Sequence, residues 1–153
     1  MKLTKTLTVI GSSLLVGILY ILPPLVIKQQ LETKEQSFIL NYAVHRDELI
    51  YMNRAREIYD GHWPPVDLYF DDQGKTVLNA IPSSIMATFL TIFNGNVVTS
   101  YLAAIFIFSS ITFLLFFLLG NILFNRSMAW SLFFAYVGIL TPIALRILNF
   151  DGA

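Results

Sequence analysis

Val97–Phe124, VVTSYLAAIFIFSSITFLLFFLLGNILF, is the stretch whose reading decides the fold. It carries no charge, and its apolar residues do not alternate as those of a half-buried strand do. About 20 helical residues, rising 1.5 Å each, cross a hydrocarbon core of about 30 Å. A single helix over 97–124 therefore reaches across a bilayer. The rest of the chain agrees with that solvent. Of its 153 residues 56% are hydrophobic and 13% charged, and the mean hydropathy is +0.65. A soluble domain of this size carries more charge, so the class expected is an all-α integral membrane protein.

On the C-terminal side, Asn125-Arg126-Ser127 is a tight connection, and residues 128–145 form another uncharged run, which stops at Arg146. The connection matches a glycosylation acceptor pattern, but a turn hard against the membrane is a poor acceptor. Trp130 and Tyr101 suit interfacial positions. On the N-terminal side, residues 7–27 are uncharged behind Lys2 and Lys5, and Pro23-Pro24 is expected to kink or end that helix. The run is longer than the core of a cleaved leader, and no small-residue cleavage site follows it. Three transmembrane helices (7–27, 97–124, 128–147) are thus expected. The basic residues near short ends place the N-terminus in the cytoplasm and a long loop, 28–96, outside. The whole of 1–153 reads as one membrane domain, without an internal repeat.

That loop holds nine of the ten acidic residues, and between Lys28 and Lys75 its net charge is −3. At its centre is His45-Arg46-Asp47-Glu48-Leu49-Ile50-Tyr51-Met52-Asn53-Arg54-Ala55-Arg56-Glu57-Ile58-Tyr59-Asp60-Gly61-His62-Trp63-Pro64-Pro65. Asp47 is placed to cap a helix that runs to about Tyr59, lies along the bilayer surface, and ends at Gly61 and Pro64-Pro65. Leu49, Met52, Ala55 or Arg56, and Tyr59 share one face of it by three–four spacing; Asp47, Tyr51 and Arg54 share another. Residues 66–70 and 75–78 read as a short β-hairpin around the turn Asp71-Asp72-Gln73-Gly74. Residues 77–93 are apolar but short and are interrupted by Pro82-Ser83-Ser84, which suits a juxtamembrane or re-entrant helix, with a short tilted span as the alternative.

The chemistry open to this composition is restricted. Without cysteine there is no disulfide, thiolate nucleophile or cysteine-bound metal. With zero net charge there is no bulk attraction to nucleic acid. His45 and His62 are too few for a metal-ligand motif, and no phosphate-binding glycine loop or Gly-x-Ser-x-Gly nucleophile motif occurs. Asp47 and Glu48 serve either as helix-terminus acids or as carboxylates facing a cavity, where one takes a proton from an acceptor or binds a divalent cation. Arg54 and Arg56 serve either as partners of Glu57 and Asp60 or as phosphate ligands, since a guanidinium fork matches phosphate oxygens. Arg146 at a membrane boundary is explained by snorkelling.

The order of an anchor, Asp47-Glu48, Tyr51, Arg54-Ala55-Arg56-Glu57-Ile58, Gly61-His62-Trp63-Pro64-Pro65, a short apolar helix, long spans and Arg146…Asp151 resembles the amino-terminal part of the GT-C superfamily of membrane glycosyltransferases. The protein mannosyltransferases and lipid A aminoarabinose transferases are nearest in pattern. The resemblance implies transfer of a sugar from a polyprenyl-phosphate donor to an acceptor hydroxyl or amide on the outer face of the membrane. It implies catalytic roles for Asp47 or Glu48 and for Asp151 across a shared cavity, and substrate-binding roles for Tyr51, Arg54, Arg56, His62 and Arg146. A divalent cation, used in some branches, would be held by Asp47 and Asp151. A bacterial plasma membrane is the expected setting. Superfamily members are several times longer, so the chain is expected to be the amino-terminal piece of a larger enzyme and inactive alone. The competing expectation is a small non-catalytic multi-span protein that acts as an assembly subunit. A transporter is disfavoured, because the expected spans carry no ionisable residue in their interior.

Overall fold

The computed structural model describes residues 2–34, 46–63, 65 and 80–150, with only the helical backbone for 2–3, 46–51 and 142–150. Among the described residues five helices follow one another: α1 (Lys2–Glu32), α2 (Arg46–Tyr59), α3 (Ile81–Ile92), α4 (Val97–Leu123) and α5 (Met128–Phe150). No strand occurs among the described residues, and the hairpin expected over 66–78 lies outside them.

The expectation of three membrane spans is corrected. Among the described residues two helices, α1 and α4, are long and apolar enough to cross a membrane. In α5 the described apolar stretch is Met128–Thr141, short of the about 20 residues that a hydrocarbon core requires. The α4 boundaries match the reading of 97–124 to within one residue. Helix α1 extends beyond 7–27 at both ends. Its flanking Lys2, Lys5, Lys28 and Glu32 all lie on continuing helical turns, and Pro23-Pro24 does not end it.

Only 17% of the α1 span and 22% of the α4 span is buried within the protein. A long apolar helix in a soluble core is mostly covered. Here Leu7, Ile10, Leu15, Ile18 and Leu22 of α1, and Phe108, Ile111, Leu115, Leu118 and Ile122 of α4, are exposed. Apolar surface on this scale calls for lipid or a partner.

Two compact units are present. The first comprises Met1–Pro23 and Ile105–Ala153. Its core is Val16, Phe113, Ala135 and Ile139, with Tyr20, Phe116, Phe117, Leu132, Tyr136 and Leu140 around them. Helix–helix association in lipid rests on close packing and polar contacts rather than on expelling water, and this core has both. Gly17 faces Phe106 and Ser110 so closely that a Cβ would stand 2.7 Å from the Phe106 ring. A Cβ at Gly120 would stand 3.0 Å from the Ser131 Cα, a backbone contact. Ser13 Oγ donates to the Ser110 carbonyl at 3.0 Å, and the Tyr20 hydroxyl donates to the Ile139 carbonyl at 2.5 Å. The rings of Phe113 and Tyr136 meet edge to face.

The second unit, Pro24–Ala104, contains the packed pair α2 and α3. Pro82 lies in the first turn of α3, where its missing N–H costs nothing, so it opens this helix instead of interrupting it. Ser83, Ala87 and Leu90 form the buried stripe of α3.

A helix–turn–helix corner occurs twice, 31 positions apart. At Phe93–Asn96, the Phe93 N–H donates to the Phe89 carbonyl, Gly95 to Leu90 and Asn96 to Phe93, at 2.7–3.0 Å. At Phe124–Ser127, Phe124 donates to Gly120, Arg126 to Asn121 and Ser127 to Phe124, at 2.8–2.9 Å. In each corner two successive residues are left-handed: Asn94 and Gly95 at φ 50° and 76°, Asn125 and Arg126 at 52° and 64°. Each next helix is tied back by a serine, with Ser100 Oγ to the Asn96 carbonyl and Ser131 Oγ to the Ser127 carbonyl, both 2.7 Å. The repeat escaped the sequence reading because it is a repeat of backbone conformation over few residues.

Candidate functional site

Helix α2 is built from the residues singled out above. Its first turn contains Asp47 and Glu48, so Asp47 stands inside the helix and not at the capping position. Carboxylates in a first turn oppose the positive end of the helix dipole, a favourable placement. The helix stops at Tyr59, as its sequence implies. Gly61, at φ 93°, turns the chain, and the His62 N–H closes the end on the Glu57 carbonyl at 2.9 Å. Pro65 beyond it is fully buried.

Arg54 and Ala55 are 1% and 0% exposed. The buried side of α2 therefore passes between these two positions. The sequence put Arg54 on the polar face, and the structure takes it out of water. Burying a guanidinium is among the costlier things a fold does, and spacing alone gave no sign of it.

Arg56 is half exposed and engaged at the surface. Its Nε meets Asp60 Oδ2 at 3.0 Å, and its guanidinium carbon lies 4.9 Å from the centre of the Tyr59 ring. Both side chains rest against the first corner. A Cβ on Gly95 would stand 3.1 Å from the Tyr59 hydroxyl and 3.2 Å from an Arg56 nitrogen. Arg56 and Tyr59 thus seat the end of α2 against the α3–α4 turn. An exposed pair of this kind contributes about 0.2–1 kcal/mol, so the seating owes more to the fit on Gly95. His62 is exposed and lies beyond the end of α2.

Between the second half of α2 and α3 runs a groove of about 410 Å³, lined by Ile58, Tyr59, Ser84, Ala87, Thr88, Thr91 and Ile92. Its lining has hydroxyls but no carboxylate or ammonium. The Ser84, Thr88 and Thr91 hydroxyls donate to the carbonyls of Ala80, Ser84 and Ala87, four residues back, which leaves their oxygens able to accept. Ser83 Oγ is buried on the same helix without a hydrogen-bond partner. Sequence reasoning took Ser83 and Ser84 only as interruptions; their four-residue spacing to Ala87 and Thr88 was the available sign of a structured face.

Of the remaining candidates, Asp47, Glu48 and Tyr51 are placed as backbone in α2, and Arg146 as backbone in α5. Asp151 lies outside the described residues. The structure therefore brings Asp47, Glu48, Tyr51, Arg54 and Arg56 onto one helix, while Arg146 belongs to the other compact unit. Among the described residues no group of three or more histidines, aspartates or glutamates stands together as a metal site. No protein-family model, no curated protein and no solved structure matches this chain.

Proposed function

We propose that the chain belongs to a membrane glycosyltransferase that moves a sugar from a polyprenyl-phosphate donor to an acceptor on the outer face of a bacterial plasma membrane. In this reading Lys2 and Lys5 lie in the cytoplasm, and the acidic segment between α1 and α4 lies outside. The observation that carries it is the buried Arg54 on a helix whose first turn is Asp47-Glu48, in a segment joining two helices of membrane length. Ionisable groups held in or against an apolar medium are expensive and are by default functional.

Asp47 or Glu48 serves as the base that takes the proton from the acceptor as its oxygen or nitrogen attacks the anomeric carbon. The carbon–oxygen bond to the lipid phosphate breaks, and the phosphate leaves with the bonding pair. Arg54 supplies a fixed positive charge toward that departing anion, which is worth more away from water than in it. Tyr51 and His62 contribute to substrate binding.

The test uses membranes containing the chain within the polypeptide that carries it in the cell, supplied with polyprenyl-phosphate-linked sugar. Combining Asp47→Asn with Glu48→Gln is expected to lower transfer by at least about a hundredfold while leaving insertion unchanged. Full transfer by that double variant overturns the assignment and leaves the non-catalytic assembly role.

A further inference from the structure

A second groove lies in the first compact unit and has a different chemistry. It has a volume of about 270 Å³ and is lined by Lys5, Thr6, Val9 and Ile10 of α1, Phe117 and Asn121 of α4, and Arg126 and Met128 at the second corner. Two cations share one cavity. The segments that build this unit contain a single acid in sequence, Asp151, so carboxylates do not offset these charges along most of their length. The other wall is apolar and continues into exposed membrane-length helix, with Ile10 and Leu7 on α1 and Leu118 and Ile122 on α4 outward-facing.

The backbone at Arg126 adds a second, independent observation. Arg126 is left-handed at φ 64°, in the corner position that Gly95 fills in the other copy at φ 76°. Glycine is the residue that adopts this conformation without penalty; an arginine there costs about 1–2 kcal/mol. Strain of this kind concentrates at functional positions. Its result here is a guanidinium that lines the same groove as the Lys5 ammonium.

We infer that this groove binds the phosphate headgroup of an anionic phospholipid. Arg126 offers paired donors to phosphate oxygens and Lys5 a point charge. Asn121 and Thr6 add polar groups beside them, and an acyl chain continues along Val9, Ile10 and Phe117. A soluble phosphate would use the cations and leave the apolar wall in water, so lipid is the occupant that both halves of the groove fit. Basic pockets between membrane helices recognise headgroups by this combination. The inference does not depend on sugar transfer.

The test is lipid retention by the purified full chain, measured by native mass spectrometry in mild detergent. The probes are phosphatidylglycerol, phosphatidylcholine and inorganic phosphate. Phosphatidylglycerol is expected to be retained at least about tenfold more tightly than phosphatidylcholine. Each cation is expected to account for roughly fivefold, so Lys5→Gln with Arg126→Gln loses roughly twenty-fivefold. Arg126→Gly guards against misfolding: it suits the left-handed backbone, keeps the corner, and is expected to lose the fivefold while unfolding no more easily than wild type. Equal retention of the two lipids overturns the inference. So does undiminished retention by both variants, and so does inorganic phosphate displacing phosphatidylglycerol at equal concentration, which would mark the groove as a free-phosphate site.

Discussion

The corner at Phe93–Asn96 and the corner at Phe124–Ser127 have the same backbone and opposite surroundings. The first carries Gly95, and the space where a side chain would begin is taken by Tyr59 and Arg56 of α2. The second carries Arg126, whose side chain lines a groove with Lys5. The difference teaches that one corner geometry serves either as a seat for another helix or as a mount for a cation. Which one it becomes is decided by a single residue at the second left-handed position. Gly120 adds to the contrast. It lets Ser131 approach at backbone distance, whereas the equivalent position of the first corner is Phe89, whose carbonyl accepts from Ser100 Oγ at 3.2 Å.

Breaking the second corner gives the largest effect. Gly120→Leu drives a side chain into the Ser131 backbone, which cannot swing aside as a side-chain tip does. A loss of about 3 kcal/mol is expected, measured by denaturant unfolding in mixed micelles. Gly95→Ala comes next. It places a Cβ at positive φ and against Tyr59 and Arg56, for a loss of about 2 kcal/mol. Arg126→Gly has the opposite sign. Relief of the left-handed strain exceeds the added entropy of the unfolded chain, for a gain of about 0.5–1 kcal/mol. A loss of stability in Arg126→Gly would show that the corners are not equivalent. The smallest effect belongs to Asp60→Asn. Removing an exposed ion pair costs less than about 1 kcal/mol, and the pair weakens further in high salt.

The parts of the fold that were readable in the sequence are those set by one physical quantity. Val97–Leu123 is bounded by the length of an uncharged run, and α2 ends where Gly61 allows the chain to turn. The parts that were missed are those in which two quantities compete. Charge was used to bound α1 at 7–27, but helical hydrogen bonding continues through Lys2, Lys5, Lys28 and Glu32, because a helix does not stop at the edge of an apolar medium. Pro82 reads as a break by residue type, while its position in a first turn makes it a start. The span expected over 128–147 rested on the absence of charge, and the apolar length described in α5 is too short for it.

In the candidate site, the acids and arginines were recognisable as a group because they stand in an otherwise oily chain. The burial of Arg54 was not, since helical periodicity sorts residues into faces without saying which face a neighbouring helix will cover. The lipid groove was not readable either. Lys5 and Arg126 are 121 positions apart, and only the packing of α1 against α4 within the first unit brings them together. A single sequence offers no spacing rule for a site assembled at that distance.

The most direct measurement is the dependence of sugar transfer on donor and on acceptor concentration in Arg54→Ala. If the buried guanidinium acts on the donor phosphate, the half-saturating donor concentration rises about tenfold while that of the acceptor stays as in wild type. An unchanged donor dependence, or equal shifts for both substrates, would contradict the placement of phosphate-lipid chemistry on α2.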